Sequence, residues 1–175
     1  MNGDKYEGRF ENGLRHGEGT LAWINGENFR GSFIEGKRNG YGVMQYSNGE
    51  SYAGDWQNDT FNGIGIYVFS NGAKYDGEFK YGIREGKGSF IYSNGNEYIG
   101  TFVDGKRSGQ GVYKLQNGER FEGSFENDKY EGYGSYQWVN GDRYEGEWHE
   151  GQMHGDGKYI WANGDYYEGQ YNLDQ

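Results

Sequence analysis

Polar and apolar residues alternate along short stretches of this chain, and the alternation restarts at a constant interval. Each stretch has an aromatic residue, a glycine two positions later and a second aromatic two positions after that, as in Tyr52-x-Gly54-x-Trp56. A period of two is typical of a β-strand. The first aromatic returns every 23 residues, which indicates an array of structural repeats. We count each repeat from this residue as position 0; it is Tyr6, Phe29, Tyr52, Tyr75, Tyr98, Phe121, Tyr144 and Tyr167.

A second alternating stretch follows at positions 11 to 17, where the pattern is Gly-x-Gly-x-apolar-x-aromatic. Gly40, Gly42, Met44 and Tyr46 show it in the second repeat. Glycine at this density is costly in helix interiors, so a helical interpretation fails. We therefore predict an all-β fold, a single-layer antiparallel β-meander of hairpin repeats without helices. Within each repeat, a loop at positions 5–10 is expected to join the two strands.

An Asn-Gly pair separates successive repeats, for example Asn25-Gly26, and it determines the predicted register. A two-residue turn at such a pair would place the aromatics of neighbouring strands on opposite faces of the sheet. A three-residue turn at positions 18–20, a type I turn closed by glycine in the left-handed conformation, places position 15 opposite position 0. Because a slip of one residue moves the whole apolar set to the other face, we predict the three-residue turn. The pairs are Asn2-Gly3, Asn25-Gly26, Asn48-Gly49, Asn71-Gly72, Asn94-Gly95, Asn117-Gly118, Asn140-Gly141 and Asn163-Gly164.

The predicted register aligns the glycines. Gly at position 2 faces Gly at position 13, and the aromatic at position 4 faces Gly at position 11, both within and between repeats. The glycines then form a stripe across the sheet, and the neighbouring rings can lean over the bare backbone. A sheet of one layer can in this way bury part of its own aromatic face.

Composition supports an ordered but thin structure. Hydrophobic residues make up 33% of the 175 residues and aromatic residues alone 19%. There is no Pro and no composition shift, so we predict one domain, a single repeat array over residues 1–175.

The net charge of −10 disfavours nucleic acid as a partner. The absence of Cys excludes disulfides and thiolate sites. The first residues contain no apolar run of the kind that a signal peptide has, so a cytoplasmic location is expected.

The segments Tyr144-Glu-Gly-Glu-Trp148 and Gly155-Asp-Gly-Lys-Tyr-Ile-Trp161-Ala-Asn-Gly164 resemble the MORN repeat, the membrane occupation and recognition nexus motif. The resemblance covers nearly the whole chain, as seven full repeats and a final half repeat. It implies an elongated, twisted single-layer sheet that serves as a scaffold or interaction module, for example in ciliary axonemes and cytoskeletons. Members of the family bind partner segments along the aromatic face, and several dimerise. The chain departs from the commoner pattern in lacking turn prolines and in having Asp at position 7, at Asp59, Asp128 and Asp174.

Nothing in the sequence supports an enzyme, a cofactor or a metal site. His149 and His154 flank a segment that superficially resembles the zinc motif His-Glu-x-x-His, but it has one residue too many and lies in a glycine-containing loop. The Gly-x-Gly pairs lack the Lys-Ser/Thr of a phosphate-binding loop. Carboxylate pairs such as Glu122 and Glu126 are expected on solvated strand faces. There they contribute solubility and cross-strand pairing, which we favour over a role in acid–base catalysis.

The aromatic face is the predicted partner-binding groove. The rings of a single layer cannot all be covered by their own sheet, and an aromatic surface of this size marks a binding site for an extended or helical apolar peptide. The alternative is that the rings at positions 0 and 4 only stabilise the fold. The predicted groove residues are Tyr52, Trp56, Tyr75, Phe79, Tyr98, Phe102, Tyr46, Phe69, Tyr92, Tyr67 and Phe90.

The two long edges differ in predicted charge. Acidic residues at position 21 follow the turn edge. A basic ladder at positions 8–9 follows the loop edge and is either a solvated border that prevents aggregation or a contact for an acidic partner or phosphoinositide. The basic edge residues proposed for such contacts are Lys37, Arg38, Arg84, Lys106 and Arg107.

Three functional hypotheses follow. The leading one is a non-enzymatic scaffold that binds a protein partner through an apolar or amphipathic segment, in a cytoskeletal or ciliary assembly such as an axoneme. The alternative is a module that binds phosphoinositides or tethers membranes, against which the net charge of −10 argues. The third is a subunit that forms homodimers or docks end to end, because an uncapped strand invites pairing.

Overall fold

A computed structural model describes residues 3–172, which form fifteen β-strands and no helix. Each repeat contributes a strand of about seven residues and a longer one of about nine, as the two alternating stretches predict. Asn2, which belongs to the first predicted Asn-Gly pair, and Asp174 lie outside the described residues. The strands are β1 Lys5–Glu11, β2 Leu14–Ala22, β3 Asn28–Ile34, β4 Lys37–Gln45, β5 Ser51–Gln57, β6 Thr60–Val68, β7 Lys74–Lys80, β8 Ile83–Ile91, β9 Glu97–Val103, β10 Lys106–Lys114, β11 Arg120–Glu126, β12 Lys129–Gln137, β13 Arg143–His149, β14 Gln152–Ile160 and β15 Tyr166–Tyr171.

The chain divides into two compact units, of which the first ends at Glu85 and the second begins at Gly86. In the first unit the strands from β1 to β7 pair antiparallel, each with the next one along the chain. In the second unit the strands from β9 to β15, and β8 from Gly86 onwards, do the same. Each unit is a single sheet in which strand order follows the sequence, which confirms the all-β single-layer meander.

The Asn-Gly turn has the predicted three-residue form. The N–H of Trp23 donates to the carbonyl of Glu27 at 2.9 Å, and the N–H of Gly26 donates to the carbonyl of Trp23 at 3.0 Å. Gly26 has a φ of 90°, the left-handed conformation that closes a type I turn with a bulge. The side-chain oxygen of Asn25 accepts the N–H of Glu27 at 3.1 Å, which explains asparagine at this position. Leu21 pairs with Phe29, so position 15 lies opposite position 0.

The connection within each repeat differs from the prediction. The expected loop at positions 5–10 is wrong, because a two-residue turn at positions 6–7 joins the strands. Asn12 (φ 50°) and Gly13 (φ 77°) both have positive φ, as a type I′ turn requires. The second strand therefore begins at position 8, with Leu14 in the first repeat.

A bulge follows this turn, and because of it the register predicted within repeats is wrong for part of each strand pair. Gly8 pairs with Gly19 as expected, but Phe10 pairs with Arg15 and not with Gly17. Gly17 has a φ of 66°, so it leaves the regular strand conformation and takes up the extra length. Between repeats the predicted pairing holds, since Gly17 lies opposite Phe33. The consequence is that position 9 lies beside position 4 on the aromatic face.

The core of each sheet is one row of rings over the glycine stripe. A Cβ atom added to Gly65 would lie 2.4 Å from the hydroxyl oxygen of Tyr52, so the ring occupies the space that a side chain would need. The Tyr52 ring meets Trp56 and, in the next repeat, Phe79 edge to face at 5.3 Å. Such pairs contribute about 0.5–1.5 kcal/mol each beyond their buried area. The buried rings of this inner row are Phe29, Phe33, Tyr52, Trp56, Tyr75, Phe79, Tyr98, Phe102, Phe121, Phe125, Tyr144 and Trp148.

Candidate partner-binding face

A second set of side chains lies on top of the inner row and forms the solvent-facing part of the aromatic face. We call the side chains at positions 9, 15 and 17 the outer tier. Most of them are half-buried; Leu21, Met44 and Phe90 are buried and Trp161 is exposed. In the first unit the outer tier consists of Arg15, Leu21, Trp23, Arg38, Met44, Tyr46, Phe61, Tyr67, Phe69 and Arg84. In the second unit it consists of Phe90, Tyr92, Arg107, Tyr113, Leu115, Tyr130, Tyr136, Trp138, Met153, Tyr159 and Trp161.

Position 9 covers the inner ring of its own repeat. Phe61 stacks on Tyr52 with ring centroids 4.0 Å apart, and Tyr130 stacks on Phe121 at 3.8 Å. Where position 9 is arginine, the guanidinium lies over inner rings of its own and the next repeat: Arg38 Cζ is 5.7 Å from the ring centroid of Phe29 and 4.2 Å from that of Trp56. Arginine and aromatic side chains are interchangeable here because both present a flat surface to a ring.

The predicted basic edge is therefore divided. The guanidinium groups of Arg38, Arg84 and Arg107 lie over rings, with Arg84 at 5.8 Å from Tyr75 and Arg107 at 4.7 Å from Tyr113. Lys37 and Lys106, at position 8, are exposed on the loop edge as expected. The sequence pattern placed all five on one edge because it treated positions 8 and 9 as loop.

Aspartate at position 7 fixes two of these arginines. Asp59 Oδ1 accepts both the backbone N–H and the Nε–H of Arg38 at 2.9 Å, and Asp59 has a φ of 68° where most repeats have glycine. Arg107 and Asp128 repeat this arrangement, with an Nε to Oδ1 distance of 3.1 Å. The guanidinium side chains of Arg38 and Arg107 are only 20% and 16% exposed. The Asp residues that depart from the family pattern thus hold the arginines flat on the rings.

The acidic turn edge accepts hydrogen bonds from the outer tier. The hydroxyl of Tyr67 donates to Glu50 at 2.8 Å, and that of Tyr159 donates to Asp142 at 2.7 Å. Hydrogen bonds from Tyr159 and from the backbone N–H of Ala162 hold the pKa of the Asp142 carboxyl below its usual range. Burial, with the hydrogen bond to Asp142, raises the pKa of Tyr159 to about 12. The acidic residues therefore fix the orientation of the tyrosine rings.

The outer tier of the second unit contains a concavity and a row of rings. The concavity, of about 360 Å³, is lined by aromatic side chains that include Tyr130, Tyr136 and Trp138. Along its border, Trp138 lies 4.7 Å from Tyr136 and 5.2 Å from Tyr159, and Tyr159 lies 5.1 Å from Trp161. The indole N–H groups of Trp138 and Trp161 donate to no atom of residues 3–172. Flat rings with free donors are suited to a ligand that offers both apolar surface and carbonyl oxygens.

The predicted groove residues fall into both rows. Tyr46, Tyr67, Phe69 and Tyr92 belong to the half-buried outer tier, and Phe90 belongs to it but is 7% exposed. The predicted groove residues at positions 0 and 4 lie in the inner row, where their exposure ranges from 0% to 6%, so they present almost no surface to a partner. These inner residues from the predicted groove are Tyr52, Trp56, Tyr75, Phe79, Tyr98 and Phe102.

Sequence reasoning did not include the position 9 aromatics in the groove. Phe61 and Tyr130 were missed because they stand where other repeats have arginine. The recurrence of a flat side chain at this one position, whether arginine or aromatic, was the available signal.

The histidine segment forms an ion pair with a neighbouring strand. His149 Nδ1 lies 2.9 Å from Glu131 Oε1, and this hydrogen bond raises the pKa of His149. The rings of His149 and His154 are 5.7 Å apart at their centroids. Among residues 3–172, no three His, Asp or Glu side chains converge in a way that could hold a metal ion. The same part of the chain has no helix long and apolar enough to cross a membrane.

The fold and this face define a class of protein, the single-layer β-repeat proteins with one aromatic face. The MORN repeat model matches seven consecutive segments: 6–27, 29–51, 52–74, 75–97, 98–120, 121–143 and 144–166. The chain therefore belongs to the MORN-repeat family, as the resemblance of its motifs predicted.

Two solved structures are similar to this chain at low sequence identity. The TCP domain of SAS-4 (dCPAP) from Drosophila melanogaster, in complex with a proline-rich motif of Ana2 (dSTIL), is 12% identical with a TM-score of 0.54; the match covers 89% of this chain and 84% of that chain. The TCP10 domain of Danio rerio CPAP, in complex with a peptide of STIL, is also 12% identical, with a TM-score of 0.43 over 95% of this chain and 83% of that chain. No curated protein matches the sequence significantly. Likeness at this identity establishes the fold alone.

Proposed function

We propose that this protein is a non-enzymatic scaffold that binds a segment of a partner protein across the outer tier. The observation that carries the proposal is the row of half-buried rings that remains partly open to solvent on the aromatic face. The outer-tier rings cover the inner row with one side, as Phe61 covers Tyr52, and leave part of their other side facing solvent. Exposed rings in contiguous rows are the usual mark of a protein interface.

Two further findings support a peptide as the partner. The fold is that of the SAS-4 TCP domain, which was solved with a proline-rich motif of another protein. The rings of the outer tier also continue from strand to strand as a row, which suits an elongated segment of chain. The lipid alternative loses its main support, because the guanidinium groups of Arg38, Arg84 and Arg107 lie over rings and do not form a basic ladder.

The experiment compares partners captured by three forms of the protein from its native source, identified by quantitative mass spectrometry. The first is the wild type, and the second has Trp138→Ala with Trp161→Ala in the outer tier. The third has Tyr133→Ala on the opposite face, where this side chain is 66% exposed and serves as the matched control. We expect one set of proteins to be lost at least about tenfold with the double variant, since aromatic side chains dominate interface energy, and retained by the control.

Equal capture by all three forms, each shown to be folded by circular dichroism, would contradict the proposal. Partners lost only with Tyr133→Ala would also contradict it, because they would place the interface on the opposite face.

We place the scaffold in a cytoskeletal or ciliary assembly, on the basis of its family. Fluorescence microscopy of the tagged protein in ciliated cells tests this setting: enrichment along the axoneme or at the ciliary base is expected, and a uniform cytoplasmic signal would argue against it.

A further inference from the structure

We propose that the outer tier of the second unit binds a basic, proline-rich segment in the polyproline II conformation, lying across the strands. This inference rests on the proposed function and specifies the conformation and chemistry of the partner. It depends on three properties of the site: its period, its hydrogen-bond donors and its charge.

The period of the site matches polyproline II. Tyr113, Tyr136 and Tyr159, all at position 15, lie on β10, β12 and β14; β11 separates the first two strands and β13 the last two. At about 4.8 Å between neighbouring strands, equivalent rings recur about every 9.6 Å. A polyproline II helix has three residues per turn and rises about 3.1 Å per residue, so every third side chain returns to the same face after about 9.3 Å. A ligand in this conformation meets each repeat in the same way.

The other regular conformations do not match. An extended strand returns a side chain to the same face after about 6.7 Å, and this length does not divide the repeat. An α-helix completes two turns in about 10.8 Å, so it falls out of step by about 1 Å with every repeat. Of the three conformations, polyproline II stays in register for the longest distance over Tyr113, Tyr136 and Tyr159.

The donors of the site complement polyproline II. This helix has no internal hydrogen bonds, so its carbonyl oxygens are available to a partner. Trp138 and Trp161, both at position 17, present indole N–H groups that donate to no atom of residues 3–172. They alternate with Tyr136 and Tyr159 in the row of rings, at centroid distances between 4.7 and 5.2 Å. Proline rings can pack on top of these aromatic rings while the indoles donate to the ligand backbone.

The charge around the row favours a basic ligand. The turn edge beside Trp138 and Trp161 contains Glu119, Asp142 and Asp165, and the lowered pKa of Asp142 keeps its carboxyl ionised. On the other side of the row, position 9 is neutral beside Tyr136 and Tyr159, where it is Tyr130 and Met153, whereas Arg107 lies over Tyr113. The basic side chains of the ligand are therefore expected along the turn edge. The net charge of the chain, −10, acts in the same direction.

The test uses two synthetic peptides of equal length and charge, (Pro-Pro-Arg)4 and (Ala-Ala-Arg)4, titrated into the full chain by isothermal calorimetry. The first forms polyproline II and the second is prone to form a helix. We expect the proline peptide to bind at least about tenfold more tightly, and its affinity to fall with salt as charge pairing requires.

Two variants connect the binding to the site. Trp138→Phe with Trp161→Phe keeps the rings but removes both donors, and we expect affinity to fall about fivefold or more for the pair, as the loss of hydrogen bonds predicts. Tyr133→Ala on the opposite face is the control and should leave the affinity unchanged. Circular dichroism verifies that each variant is folded.

The outcomes separate this inference from the proposed function. If the alanine peptide binds as well as or better than the proline peptide, the inference is wrong, although a partner-binding face remains. If the proline peptide binds equally to the tryptophan variant and the wild type, the donors play no part and the inference is also wrong. If capture of native partners in turn does not depend on Trp138 and Trp161, the proposed function fails as well.

Discussion

Tyr81 occupies a backbone conformation that suits its side chain poorly. It is the first residue of a type I′ turn, with a φ of 50°, and the equivalent residues in other repeats include Asn12, Asn58 and Asn127. Left-handed backbone costs residues other than glycine roughly 1–2 kcal/mol, and asparagine bears it more easily. The Tyr81 side chain is 73% exposed, so its replacement loses little packing.

Tyr81→Asn should therefore raise the free energy of unfolding by about 0.5–1 kcal/mol, measured by urea denaturation. The reverse change in another turn, Asn58→Tyr, is the matched control and should lower it by a similar amount. If neither substitution changes stability, left-handed strain is not what distinguishes these turns.

The ion pair between His149 and Glu131 gives a second expectation for single residues. The hydrogen bond that His149 donates to Glu131 raises the folded pKa of His149. The stabilisation associated with this shift is fully present below the unfolded pKa of about 6.5 and is lost as the pH rises through the raised folded pKa. Glu131→Gln should lower the midpoint of the His149 titration, followed by NMR of the imidazole protons. An unchanged midpoint would show that His149 does not form the pair in solution.

At the level of strands and turns, two kinds of glycine should respond differently to alanine. Gly65 belongs to the stripe, and an added Cβ would lie 2.4 to 2.6 Å from atoms of the buried Tyr52 ring. Gly118 belongs to an Asn-Gly turn; it has a φ of 96°, and an added Cβ would meet nothing within 4 Å.

Gly65→Ala should cost about 2–3 kcal/mol, because a buried ring must move, whereas Gly118→Ala should cost only about 1 kcal/mol from backbone strain. Thermal and urea unfolding of both variants provide the comparison. Equal losses would mean that the contact between ring and glycine contributes nothing specific.

The strands and the register of the Asn-Gly turns could be predicted from the sequence, because a period of two and a common aromatic face leave one consistent pairing. Leu21 lies opposite Phe29 for this reason. The turn within each repeat could not be predicted, since sequences such as Glu35-Gly36 and Tyr81-Gly82 do not suggest a type I′ turn. The bulge at Gly17 could not be predicted either. The pattern Gly-x-Gly is compatible with a regular strand and does not indicate that its first glycine has a positive φ.

The candidate site was predictable as a face but not as a set of residues. Which rings are inner and which are outer depends on the direction in which each ring leans. Tyr52 leans over Gly54 and Gly65 and becomes buried, whereas Tyr67 on the same face donates to Glu50 and stays half-buried. Alternation along a strand assigns the face of a residue, but it contains no information about this second distinction.

At the scale of the whole molecule, the tyrosines make stability sensitive to alkaline pH. Burial raises the pKa of five of them to about 12, whereas a tyrosine in an unfolded chain ionises near 10. For a group whose folded pKa is raised, stability is fully present below the unfolded pKa and is lost as the pH rises through the folded pKa. The five tyrosines are Tyr75, Tyr98, Tyr130, Tyr144 and Tyr159.

The protein should therefore keep its stability up to about pH 10 and lose it steeply between about pH 10 and 12, followed by urea midpoints at a series of pH values. Tyr98→Phe is the control, because Phe29 and Phe121 show that phenylalanine fits the inner row. This variant has one ionising hydroxyl fewer, so its stability should fall less steeply, by at most about 1.4 kcal/mol per pH unit. Identical slopes for the variant and the wild type would show that ionisation of the inner row does not drive alkaline unfolding, and the loss would then have to come from repulsion among the carboxylates.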